Sequence, residues 1–351
     1  WCKSRNESKI KTDIVIIGAG PIGLFTVFEA GLLGMRCTLI DNLDKPGGQC
    51  AELYPDKPIF DIPGVPYQTG QEHVDALLKQ IEPFDYDLIL KERVEEITKN
   101  EDHWVIKTNN KTEIESKNIF IAAGAGSFEP IKPTLEKDLS VFEERQIFYA
   151  IKDKNMFKDK KVAIFGGGDS ALDWTIELEK VGADVSLIHR RDAFRGAPDS
   201  EIQMRKLSDQ KKIKLLTPYI IKDFNGEDKI RDVVLFNSET KDDTNIAVDY
   251  ILFFYGLNKK LGPINEWNLE LSGNKIKVNT ETFETKQKGI FAVGDINTYP
   301  GKLNLILSGF HETTLAVQEA FKRVNPGERV PFGYTTSSKD LHEKLGYKDS
   351  K

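Results

Sequence analysis

The chain has 351 residues, more than one hydrophobic core organises well, so two domains are expected. Apolar residues at 39% and charged residues at 30% exclude a disordered or fibrous protein, and a net charge of −6 lacks the basic balance that nucleic-acid binding favours. No apolar run reaches the roughly 20 residues of a membrane span. Residues 1–11 lack a signal-peptide core, and three cysteines, Cys2, Cys37 and Cys50, build no disulfide framework, so the expected location is cytoplasmic, with no membrane and no nucleic acid as partner.

The first element is a β-branched run at 13–17 that breaks into Gly18-Ala19-Gly20-Pro21-Ile22-Gly23. A helical stretch follows through Phe28 to about Leu33, and a second strand at 36–40 ends in Asp41. Strand, glycine turn, helix and strand predict a parallel βαβ unit suited to a dinucleotide. Gly18 permits the tight bend, Gly20, beside Pro21, lets a pyrophosphate approach the backbone, and Gly23 lets helix and strand pack closely. The helix start offers unpaired N–H groups and a positive dipole end to phosphates. Asp41 stands where a carboxylate accepts from ribose hydroxyls. A glycine turn alone would also suit a bend without a ligand; the matched context carries the dinucleotide reading.

Apolar-rich segments at 94–97, 104–108 and 113–121 predict an antiparallel meander leading into a buried strand. That strand ends at Ala122-Ala123-Gly124-Ala125-Gly126, and Pro130 and Pro133 follow, as in a crossing between domains. The unit then recurs as a strand at 161–165, the turn Gly166-Gly167-Gly168-Asp169-Ser170-Ala171, a helix through about Lys180 and a strand at 184–188. No acid ends this second strand. His189-Arg190-Arg191 stands there, with Arg195 just beyond, and arginine forks match phosphate oxygens, so the cluster suits the extra phosphate of NADP. A solvated basic loop is the alternative that the strand-end position disfavours. A buried-looking strand ending at Gly256 marks the return crossing. The expected fold class is α/β, with two Rossmann-like, three-layer domains of parallel sheet plus antiparallel meander. The second, 127–256, is inserted in the first, 10–126 and 257–351.

Further on, Gly289-Ile290-Phe291-Ala292-Val293-Gly294-Asp295 is an apolar strand ending in Gly-Asp, followed by a helical segment at 305–321. By itself Gly-Asp also suits an ordinary turn or cap. Together with the two glycine units, residues 12–338 resemble the two-dinucleotide-domain flavoproteins. That resemblance implies FAD in the first domain, with Asp295 on its ribityl chain, and NADP(H) in the second. The nearest resemblance is to thioredoxin reductases and their dithiol-free relatives. Thioredoxin reductases carry Cys-x-x-Cys just before the second glycine strand, where this chain reads Ile147-Phe148-Tyr149-Ala150-Ile151-Lys152-Asp153. The glutathione reductase group carries Cys-x-x-x-x-Cys after the first unit, where Cys50 is followed five positions later by Pro55. A dithiol relay needs two sulfurs that meet, so neither route of disulfide reduction is open. What remains is similar to the thioredoxin-reductase-like ferredoxin–NADP reductases.

That family implies further roles. Residues 47–55 are similar to its flavin-contacting loop, with Gly48 and Gln49 at the flavin and Tyr54 stacked on one isoalloxazine face; Gly124 belongs to the same site. By motif alone Tyr54 is also an ordinary half-buried aromatic. The tail Pro331-Phe332-Gly333-Tyr334-Thr335-Thr336-Ser337-Ser338 is similar to the extension that covers the second flavin face, with Tyr334 as the ring. In the family it reaches the partner's flavin, which implies a homodimer; a frayed terminus is the alternative. The NADP site comprises Gly166, Gly168, Asp169, Ser170, Ala171, His189, Arg190, Arg191 and Arg195. Cys50 suits a flavin edge or a small buried hydrophobe, and Cys37 the core. His73 and His103 join no cluster, so no metal is expected. The expected function is electron transfer from NADPH through FAD to ferredoxin, with no side-chain acid or base. A quinone, flavodoxin or iron reductase, or a flavin-binding redox sensor, would keep the same motifs.

Overall fold

The computed structural model describes residues 9–331, 333–344 and 346; Cys2 and Phe332 lie outside the described residues. The chain divides into two compact units, one running to Ser127 and resuming at Lys259, the other spanning Phe128–Asn258.

The first unit contains, in chain order, β1 (Ile10–Ile17), α1 (Pro21–Leu32), β2 (Cys37–Ile40), α2 (Gly48–Glu52), a short hairpin of β3 (Pro58–Ile59) and β4 (Gln68–Thr69), α3 (Gly70–Ile81), β5 (Tyr86–Ile89), β6 (Val94–Asn100), β7 (His103–Thr108) and β8 (Glu113–Ile121). β5, β2, β1 and β8 are parallel neighbours. β8 is long enough to serve two partners along one edge. Its first half pairs antiparallel with β7 of the meander, and its last residues pair parallel with the later strand β21 (Ile290–Ala292). The sheet is buried on both faces, and its period of two is visible in β1. Ile14 and Ile16 join the cluster under α1 and α3, while Val15 joins the opposite cluster around Trp104 and Trp267.

The second unit opens with β9 (Ser127–Pro130) and β10 (Ile147–Phe148), then β11 (Lys161–Gly166), α4 (Asp169–Lys180), β12 (Asp184–Ile188), α5 (Pro198–Asp209) and β13 (Lys214–Leu216). β14 (Tyr219–Asn225), β15 (Asp232–Asn237), β16 (Asp243–Ala247), β17 (Tyr250–Phe254) and the connecting β18 (Leu257–Lys260) follow. The order β10-β17-β11-β12-β13 is all parallel. One face packs on α4 and α5 through Val162, Ile164, Val185 and Leu187. The other packs on an antiparallel sheet, β14 to β16, through Ala163, Phe165 and Phe253. An antiparallel meander belongs to the expected fold class, but the sequence reading does not locate its strands in this unit. The first unit then resumes with β19 (Leu271–Ser272), β20 (Lys275–Lys277), β21 (Ile290–Ala292), β22 (Asn297–Thr298) and α6 (Ile306–Val324), which lies against α1.

One expectation is corrected. The segment at 47–55 was read as a loop, but 48–52 form the single helical turn α2, entered through two glycines with left-handed backbone, Gly47 (φ +121) and Gly48 (φ +55). α3 was also absent from that reading. Thr69 accepts from the Glu72 amide (3.1 Å) while Glu72 accepts from the Thr69 amide (2.8 Å), a capping box whose Thr-x-x-Glu spacing was readable in advance.

Candidate functional site

In the first unit the glycine turn is shaped by contacts that no side chain fits. Gly18 has φ +107, and a Cβ there would lie 2.5 Å from the Ala122 carbonyl oxygen. A Cβ on Gly23 would fall 1.9 Å from the Gly18 carbonyl oxygen, so only glycine seats α1 on the turn. α1 starts with Gly20 extended at its N-cap, Pro21 in its first turn, no side-chain cap and no acid in its first turn. Its leading amides and positive dipole end are thereby left for an anion.

The other residues assigned to this site converge on the same turn. Gly48 sits against Gly20, where a Cβ would come 3.0 Å from the Gly20 Cα. The Gln49 side chain reaches Gly124, with its Nε2 3.4 Å from where a Cβ of Gly124 would be. Asp41 folds back at the end of β2. Its Oδ2 accepts from the Ala19 amide (2.6 Å) and its Oδ1 from the Leu43 amide (2.8 Å). Burial pushes its carboxyl up, and these backbone bonds oppose the shift. Each carboxylate oxygen keeps a lone pair for a ribose hydroxyl.

Asp295 stands in a 3-10 turn, Gly294–Ile296, directly after β21. Gly294 has φ +80 and lies against Ile22 of α1, so this turn abuts the start of α1. Tyr54, packed on the same core, takes a hydrogen bond on its hydroxyl from the Cys50 thiol (3.8 Å). Burial chiefly, and the nearby charge of Asp295, push both the Tyr54 hydroxyl and the Cys50 thiol up, which places Asp295, Cys50 and Tyr54 in one neighbourhood. Cys50 and Cys37 are buried free thiols. Tyr334 is 71% exposed and does not join this cluster.

A buried group that the sequence reading missed lies behind Asp295. Glu312, in α6, has no exposure, and its Oε2 accepts from the Gly294 amide (2.7 Å) and from Asn297 Nδ2 (2.8 Å). Its Oε1 accepts from the Tyr299 hydroxyl (2.8 Å) and pairs with Lys302, whose ammonium also donates to the Gly294 carbonyl (3.0 Å). Burial and the bond to Glu312 push the Tyr299 hydroxyl up to about 12.

The second unit repeats the cradle with different fittings. A Cβ on Gly166 would lie 2.6 Å from the Phe254 carbonyl oxygen and 2.9 Å from Ala171 Cβ, so Ala171 fills the place that Gly23 leaves empty in the first turn. A Cβ on Gly167 would lie 2.4 Å from the His189 ring, whereas one on Gly168 would meet nothing within 4 Å. That open position, at an uncapped α4 start with Ser170 exposed, is where a pyrophosphate has room.

The basic loop is stitched to the cradle. The Arg195 amide donates to the Gly167 carbonyl (2.7 Å), and Asp169 accepts from the Ala197 amide (2.7 Å), so Asp169 supports the loop through its carboxylate. Arg190, Arg191 and Arg195 are exposed, and among the described residues none is joined to a carboxylate. The one acid of the loop, Asp192, is instead neutralised by Arg205 (3.2 Å). His189 is half-buried against Phe194, and burial first, then the three guanidiniums, push its imidazole down. Tyr255, which follows β17 beside the Gly166 turn, lies close enough to Arg190 to feel its charge, and no motif announced it. Three unpaired arginines beside an uncapped helix form a donor set that fits a phosphorylated nucleotide.

A family model for the pyridine nucleotide-disulphide oxidoreductases matches residues 12–320. The chain belongs to that family. This oxidoreductase is 52% identical to a protein of Pelagibacter ubique named ferredoxin–NADP reductase, over 97% of this chain and 99% of the relative. A Flavobacterium psychrophilum protein of the same name is 50% identical over 94% of each chain. Among solved structures, Lactococcus lactis thioredoxin reductase in its FR conformation matches at a TM-score of 0.72 and 26% identity, covering 89% of this chain and 99% of that one. T. acidophilum thioredoxin reductase matches at a TM-score of 0.75 and 20% identity, covering 90% of this chain and 99% of that one. The oxidoreductase thus has the thioredoxin-reductase-like two-domain fold. Among its described residues no helix is long and apolar enough to cross a membrane.

Proposed function

We propose that this chain is a ferredoxin–NADP reductase working without a redox-active disulfide. Its cofactors are FAD and NADP(H). The observation that carries the reading is the match, along nearly the whole chain and at about half identity, to relatives named ferredoxin–NADP reductase. The chemistry FAD supplies when bound is acceptance of hydride from NADPH and release of electrons one at a time.

The chain's own residues bind, orient and shield. In the unit that holds β1, the α1 start with Gly18, Gly20, Pro21 and Gly23 takes the FAD pyrophosphate, Asp41 the adenosine ribose and Asp295 the ribityl chain. Gly48, Gln49 and Gly124 line the same site. Tyr54 covers one isoalloxazine face and keeps water from it. Tyr334, exposed in a single chain, serves the second face, and a homodimer that lends this tail to the partner's flavin accounts for that exposure. In the other unit, Gly166, Gly168, Ser170 and Ala171 take the NADP pyrophosphate at the α4 start. Arg190, Arg191 and Arg195 grip the extra phosphate, with His189 and Asp169 holding their loop. Since NADPH and ferredoxin meet in the cytoplasm, that is the place assigned to the enzyme.

A ranking of acceptors tests the function. NADPH oxidation by the purified protein is expected to be fastest with ferredoxin and slower with quinone, flavodoxin or ferric iron. Fastest turnover with a quinone would replace ferredoxin in this assignment, and no turnover with any acceptor would favour a redox sensor.

A further inference from the structure

The Glu312–Lys302 pair does more than fill the core. We infer that it is a positioning device for flavin, gripping the peptide that presents Asp295; the inference rests on Asp295 binding the ribityl chain.

Glu312 and Lys302 side chains are 0% and 5% exposed. A buried ion pair is poor at raising stability, because desolvation offsets the attraction and apolar residues of similar volume often do as well. What apolar residues cannot do is hold a backbone at a set orientation. Here both sides of Gly294 are held, its N–H by Glu312 and its carbonyl, which belongs to the peptide leading into Asp295, by Lys302. Gly294 is in a left-handed conformation open to glycine, which has the widest choice of alternatives, so a turn at this residue needs external restraint. The four donors to Glu312 come from Gly294, Asn297, Tyr299 and Lys302, and they use the full acceptor capacity of a carboxylate. Three of the four follow Asp295 within seven residues, so Glu312 ties the whole segment after β21 to one point on α6.

The measurement is the rate of FAD release from the holoenzyme on dilution, read by free-flavin fluorescence, beside the urea midpoint in excess FAD. Asp295→Ala is the control for the underlying reading and is expected to release FAD about tenfold faster or more, the loss of one charge-assisted hydrogen bond. The double variant Lys302→Met with Glu312→Met replaces the pair by apolar volume. It leaves the Gly294 amide, Asn297 and Tyr299 without their acceptor, so the urea midpoint is expected to fall modestly, while FAD release is expected to be at least about tenfold faster. Normal FAD release in the double variant would leave the pair merely structural, while D295A still decides the reading of Asp295 separately. If the double variant does not accumulate as folded protein, Tyr299→Phe decides. Removing that single donor should speed FAD release about two- to fivefold at an unchanged urea midpoint, the scale of one neutral hydrogen bond; an unchanged release rate overturns the inference.

Discussion

Arg190, Arg191 and Arg195 stay exposed and unpaired while Asp192, the acid of their loop, is taken by Arg205. Left in water, free guanidiniums gain nothing from folding, but a ligand phosphate gives each a charge-assisted bond. Replacing Arg190 and Arg191 by alanine should raise the KM for NADPH roughly 10- to 100-fold, one or two such bonds, and hardly change that for NADH. An equal rise for both coenzymes would detach the arginines from the extra phosphate. His73 carries a second residue-level consequence. Burial holds its imidazole below the ordinary value of 6.5, with Asp61 pulling the other way. A depressed folded value means that the native state resists protonation. The corresponding stability is therefore full above pH 6.5 and is lost as pH falls from there through the folded value. The thermal midpoint of His73→Gln should accordingly fall less than that of the natural protein between about pH 7 and 5; parallel curves would show that His73 does not govern this window.

At the scale of elements, the two glycine turns look alike in sequence but are closed in different ways. Gly23 is a packing requirement, whereas Gly168 opens onto space. Gly23→Ala should therefore destabilise the first unit by roughly 1–3 kcal/mol or more and cost flavin. Gly168→Ala, whose backbone (φ −101) suits any residue, should leave the melting temperature within a degree or two and weaken NADPH binding measured by calorimetry. If G168A melts as low as G23A, the second turn is closed by packing and not by ligand. Both βαβ units were legible because their signals are local: a strand, a glycine spacing and a strand-end residue lie within about 30 positions. Asp41 and the arginine cluster came with them. The Glu312 clamp was not legible, since a glutamate amid a helix reads as a solvated face until α6 is seen to bury it against Gly294. Likewise α2, with two glycines at its entrance, violates helix propensity and forms because Gly48 must close over Gly20.

For the whole molecule, the first unit offers a cradle ringed by Asp41, Asp295 and Tyr54, and the second a cradle ringed by unpaired arginines. Among the described residues Cys37 and Cys50, both of the first unit, are buried free thiols, and the sequence of the second unit has no cysteine. Electrons entering from NADPH thus have a flavin to reach and no sulfur couple to leave by, which is where this chain departs from the thioredoxin reductases it resembles in fold. That departure was readable in the sequence, which has neither family's cysteine spacing at 147–153 or at 50–55. The pairing of β8 with β21 was not, because it joins segments about 170 residues apart and leaves no local trace. Anaerobic stopped-flow absorbance tests the central claim most directly, mixing the purified protein first with NADPH and then with oxidised ferredoxin. The flavin band should bleach on the first mixing and return on the second, with no added thiol or disulfide; a protein that shows no flavin band, or a bleached band that ferredoxin does not restore, would contradict the account.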